Sequence, residues 1–173
     1  MAPKWLVTIA FLSLAGCAAT AIDPVQEQLD ERDGTTIIRL ATPLTLIADR
    51  PRGSGADPFA FLAPFEANKM GSRQTQLWVA VPIETNTDAT VAVWRDNVLI
   101  VELTQITTRA PYSVTANWQR QFVGDISTPQ LDSLSAGTKL TVEVRLADGR
   151  KEIFGSQEPV EPALQEFRRR LGL

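Results

Sequence analysis

The chain has 173 residues, 44% of them apolar, with 17 basic and 20 acidic side chains and a formal charge of −3. That acidic balance speaks against a nucleic-acid binder, which needs a basic footprint, and the absence of any histidine removes Ser-His-Asp and Cys-His catalysis, histidine metal sites and the HExxH class together. One cysteine in the whole chain excludes an internal disulfide and a cysteine zinc site, so a single domain of this length must hold by packing alone.

The N-terminus carries Lys4 and then an apolar run from Trp5 to Leu14. As a helix that run is about 15 Å long, half of the hydrocarbon core of a bilayer, so it suits a cleaved leader and not a membrane span. It ends in Leu14-Ala15-Gly16-Cys17, which resembles the lipobox of bacterial lipoprotein precursors. The resemblance covers the first 17 residues only. It implies cleavage between Gly16 and Cys17, removal of a signal peptide of residues 1–16, and acylation of Cys17 by a diacylglyceryl group and, in many bacteria, an N-acyl chain such as palmitate. Two or more chains anchor stably where one does not. Ala18 stands at position +2 where an Asp would retain the protein in the inner membrane. For a host with two membranes, the resemblance therefore implies the outer membrane, facing the periplasm.

Residues 17–34 read as the lipidated cysteine followed by a flexible acidic tether. Asp23 to Asp33 carries five acids against Arg32, and a short helix over 25–32 would have little apolar face. Thr35–Ala41 and Leu44–Ile47 then read as strand, divided by Pro43. The stretch from Arg50 to Pro58 is a loop rich in Pro and Gly; its Gly53 and Gly55 lack the third glycine of a dinucleotide fingerprint and the GK[ST] of a P-loop. Phe59 to Arg73 reads as irregular, broken at Pro64. From Gln74 to Ile83 Leu77, Val79, Val81 and Ile83 alternate with Trp78 and Ala80, which predicts a strand covered on both faces.

Two hairpins follow. Ala89–Arg95 and Val98–Leu103 are joined by Asp96-Asn97, residues that tolerate the positive φ of a type I′ turn. Thr138–Leu146 points Leu140, Val142, Val144 and Leu146 inward and turns at Asp148-Gly149 into Arg150–Phe154. Between the hairpins Tyr112–Thr115 and Gln119–Val123 are further short strands. Thr128-Pro129 opens a helix with Thr as N-cap, apolar at Leu131 and Leu134 and ended by Gly137. A longer helix runs from Val160 to Leu171, with Val160, Ala163, Leu164, Phe167 and Leu171 on one face. Short strands at regular spacing predict a mainly β domain over residues 35–173: an immunoglobulin-like antiparallel β-sandwich with a short C-terminal α-helix, or alternatively a small partly open β-barrel.

Three groups stand out as candidate contacts. Phe59, Phe61 and Phe65 with Glu66, Asn68, Lys69 and Arg73 form either an aromatic loop that grips a partner or a plug for one end of the sandwich. Arg168, Arg169 and Arg170 could meet anionic lipid or an acidic partner, or simply complement their own helix dipole. Trp94 and Trp118 could stack on sugar rings or serve the core. The sequence nominates no catalytic residue, metal ligand or cofactor. These observations predict a non-enzymatic, membrane-anchored envelope lipoprotein that binds or assembles with an envelope protein partner. The alternatives are a small-ligand or glycan binder, such as one for peptidoglycan, and a carboxylate-dependent hydrolase.

Overall fold

Ten strands and two helices make up the regular structure in this computed structural model, which describes residues 23–50, 57–83, 88–107, 111–112, 120–157 and 159–173. The strands are β1 (Val25–Asp30), β2 (Thr35–Leu40), β3 (Leu44–Ala48), β4 (Phe59–Lys69), β5 (Ser72–Val81), β6 (Ala89–Arg95), β7 (Val98–Leu103), β8 (Arg120–Asp125), β9 (Leu140–Leu146) and β10 (Lys151–Ser156). Helix α1 (Thr128–Ser135) lies between β8 and β9, and α2 (Glu161–Leu171) follows β10.

Every strand pair is antiparallel, and β4 is the hub. Along one edge its first half pairs with β3, from Ile47↔Phe59 to Leu44↔Leu62, and its second half with β2, from Arg39↔Phe65 to Thr36↔Asn68. Its other edge pairs with β5. One layer thus runs β1-β2-β4-β5-β8, and the other runs on from β3 through β10, β9 and β6 to β7. The chain leaving β7 returns to β8 through an Ile106↔Phe122 bridge, with the Val123 N–H donating to Gln105 O at 3.0 Å. The architecture is a mainly β, antiparallel fold, consistent with the expected sandwich and its short C-terminal helix.

The core follows from period-two patterning. In β9 Leu140, Val142, Val144 and Leu146 are buried and the residues between them are not. They meet Leu46, Leu62, Leu77, Val79, Phe122 and Phe154, all fully buried. Leu131 and Leu134 of α1 and Leu164, Phe167 and Leu171 of α2 belong to the same cluster. From Leu77 to Val81 β5 is buried on both faces, as its sequence predicts.

Three local expectations are corrected. Residues 25–30 are strand and not tether or helix: Val25 to Asp30 pairs residue for residue with Leu40 to Thr35. The domain therefore begins before residue 35. Phe59–Arg73 is not an irregular loop but β4, a two-residue turn and the start of β5. Met70 (φ 51°) and Gly71 (φ 86°) lie at the turn, in the left-handed region that a I′ turn needs. Pro64 does not break the strand, because on the β2/β3 edge residues 63 and 64 fall in the gap between two ladders, where no partner residue demands an amide. Finally, α1 is capped one residue earlier than expected: Ser127 is the N-cap, and its N–H donates to Gln130 Oε1 at 2.9 Å.

The signal sequence, Cys17, Ala18, the 51–56 stretch with Gly53 and Gly55, Thr115 and Trp118 lie outside the described residues. So does most of the expected Tyr112–Thr115 strand.

Candidate functional site

The five residues nominated as one interaction loop do not form one surface. Successive residues of β4 alternate between its two faces, and both are buried at its middle, where Leu62 opposite Val79 and Ala63 opposite Trp78 are fully buried. Phe59 is 39% exposed, Phe61 is half-buried and Phe65 is only 6% exposed. Lys69 lies near Asp33, with Nζ 3.9 Å from the carboxylate. Arg73 is on the other face, where its Nε donates to the buried Glu66 at 2.7 Å and its Nη2 to Leu171 O at 3.3 Å. Its guanidinium is held above its ordinary pKa, first by the hydrogen bond to Glu66 and then by that residue's charge. Arg73 thus ties β5 to the end of α2.

The three arginines of α2 are also engaged within the chain. Arg168 pairs with Asp132 of α1 and Arg170 with Asp23, each at 2.6 Å, and Arg169 pairs with Glu166. Trp94 is half-buried on the outer face of β6, opposite Leu99 and Thr141, and its indole Nε1 is enclosed without a partner.

What the fold does assemble is a groove on the outer face of β1, β2, β4 and β5. Two rungs of cross-strand neighbours form its floor, Phe65 beside Gln76 and then Ile37-Ala67-Gln74, and a third, Asp30-Thr35 with Lys69-Ser72, begins its charged rim. The tips of the β1–β2 and β4–β5 hairpins supply Arg32, Asp33 and Met70, and Pro111 stands over the groove from the β7–β8 connection. Its volume is about 990 Å³. A second hollow of about 410 Å³ adjoins it, lined by Gln28, Leu29, Glu31 and again Asp30, Arg32, Ile37 and Pro111.

Pro111 is placed by its neighbour. Tyr112 is buried, donates its hydroxyl to Leu40 O at 2.8 Å, and packs its ring 5.0 Å from that of Trp78. The Arg39 guanidinium lies 4.8 Å over the same ring. Burial pushes the tyrosine hydroxyl far above its usual pKa, so it remains a donor at any physiological pH. Trp78 in turn donates Nε1–H to Gln121 at 3.1 Å.

No family model, curated protein or solved structure matches the chain.

The groove's chemistry therefore has to be read from its own side chains. The floor is apolar at Ile37, Ala67 and Phe65 and neutral-polar at Gln74 and Gln76. The charges sit on the rim. Among the described residues there is no cluster of three or more metal-ligating side chains. Sequence reasoning missed this surface, although a signal was present: Gln26 and Gln28, and Gln74 and Gln76, recur at i, i+2. In a strand that spacing places both amides of a pair on one face.

Proposed function

We propose that the protein is a lipid-anchored component of a bacterial cell envelope, and that its folded part is a non-enzymatic module for binding a protein partner. The lipobox Leu14-Ala15-Gly16-Cys17 carries the anchoring half of this reading. Between Cys17 and the first residue of β1, Val25, there are seven residues, a span of at most about 25 Å when fully extended. A domain on so short a leash works close to the headgroups, and in a host with two membranes Ala18 supports the outer membrane with the domain in the periplasm. The binding half rests on the open groove between the two hairpin tips. An apolar floor with a charged rim is the pattern of a protein contact.

Three measurements test this. Fractionation of cells carrying Cys17→Ala is expected to move the protein from the membrane to the soluble fraction. Unchanged membrane retention, or mass spectrometry of the natural protein showing an uncut leader or a free thiol, overturns the anchor. Crosslinking of the native protein in its own membrane is expected to recover one stoichiometric envelope protein, and recovery of none overturns the binding role.

A further inference from the structure

We infer that the free edge of β1 receives an extended, lysine- or arginine-bearing segment of the partner as an added strand, an inference that rests on the protein-binding reading above. The sheet order places β1 at the end of its layer, paired with β2 on one side and with no strand on the other among the described residues. The phase of the ladder says which groups are open. Ala41 donates its N–H to Pro24 O at 2.8 Å, so bonding pairs recur at 24:41, 26:39 and 28:37. The amides and carbonyls of Glu27 and Leu29 therefore point away from β2. Val25 points the same way, but its N–H is already taken by Asp23 Oδ1 at 2.9 Å.

Natural sheets guard such edges with proline, lysine, a bulge or a covering loop. β1 has no proline or lysine within it, and its six residues run opposite β2 without a register shift. The edge is regular, and no described strand pairs with it, the condition for strand addition. Leu29 is 57% exposed beside it, and the hollow lined by Gln28, Leu29, Asp30 and Ile37 gives a side chain of the incoming strand a place to enter.

Charge decides the kind of occupant. Of the five acids from 23 to 33, Asp23 pairs with Arg170 and Asp33 with Lys69. Glu27, Asp30 and Glu31 have no ion-pair partner among the described residues, and they flank the open edge. A second copy of β1 would set these acids against their own kind, which favours a foreign basic segment.

The test uses the full-length mature protein in detergent and a short fluorescent peptide of alternating lysine and valine, read by anisotropy at physiological salt. Two companion peptides are N-methylated at every second residue or carry glutamate for lysine. Leu29→Pro removes one outward amide without touching the β1–β2 ladder. Expected are saturable binding of the lysine peptide and weakening of about tenfold on N-methylation, on glutamate replacement and in Leu29→Pro. Equal binding of the N-methylated peptide to the unaltered protein overturns the inference, whatever happens to the folding of the variant. So does absence of binding, or a concentration-dependent dimer abolished by Leu29→Pro, which would assign the edge to a second copy. Undiminished crosslinking of the envelope partner by Leu29→Pro also overturns the edge, and it leaves the protein-binding role standing.

Discussion

Phe59 and Phe65 are six positions apart on the same face of one strand, yet they have different work. Phe59 lies near the free start of β4, whereas Phe65 is enclosed between Arg39 of β2 and Gln76 of β5. Phe65→Ala is expected to cost about 3–5 kcal/mol of stability, since it leaves a cavity. Phe59→Ala should stay below about 1 kcal/mol. Urea denaturation of the two variants checks the contrast, and equal losses would refute it. Sequence reasoning identified the aromatic segment but misread its conformation. Period-two placement of Phe59, Phe61 and Phe65 is legible in the sequence, but Pro64 between them argues for a break. Only the interrupted neighbouring edge shows why the strand survives it.

At the scale of elements, turns were the most legible feature and edges the least. Asp96-Asn97 adopts positive φ at both positions, as its residue types predict. Asp96 does more than turn the chain: its carboxylate accepts the Lys139 N–H at 2.8 Å and the Thr138 N–H at 3.1 Å, joining the β6–β7 hairpin to the start of β9. Those bonds, Lys139's first, hold its pKa below the ordinary aspartate value. A carboxylate with a lowered folded-state pKa contributes stability that is complete above about pH 4 and is lost as pH falls through the lowered value. Thermal melts of the wild type should therefore fall in acid, and Asp96→Asn should flatten that part of the profile while lowering the plateau. An unchanged acid limb would refute this role. The acidic β1, by contrast, reads as tether in the sequence, because its composition is that of a solvated linker. One residue in six, Val25, is buried. An edge strand with so little to bury has almost no hydrophobic signature, and its pairing with β2 is what places it.

Over the whole molecule, Arg95 is a side chain that joins β6 to both helices. It is 3% exposed, and its Nε donates to Ala136 O at 2.6 Å and its Nη2 to Gly137 O and to Glu161 at 2.6 Å. One residue of β6 thus satisfies the carbonyls after α1 and the acid at the start of α2. Arg95→Ala is expected to cost about 2–3 kcal/mol, because it removes the charged partner of the partly buried Glu161 and the donor to the Ala136 and Gly137 carbonyls together. A denaturation midpoint within error of wild type would exclude that role. The sequence by itself determined the strand periods, the Asp96-Asn97 turn and the apolar stripe of α2, because each depends on neighbours a few residues apart. The tertiary structure alone decided that β1 ends its layer among the described residues, that Arg73 and Arg95 reach the helix ends, and that Ile37, Gln74 and Gln76 share one floor. Those outcomes depend on which strands pair, and pairing is settled by contacts between residues far apart in the chain.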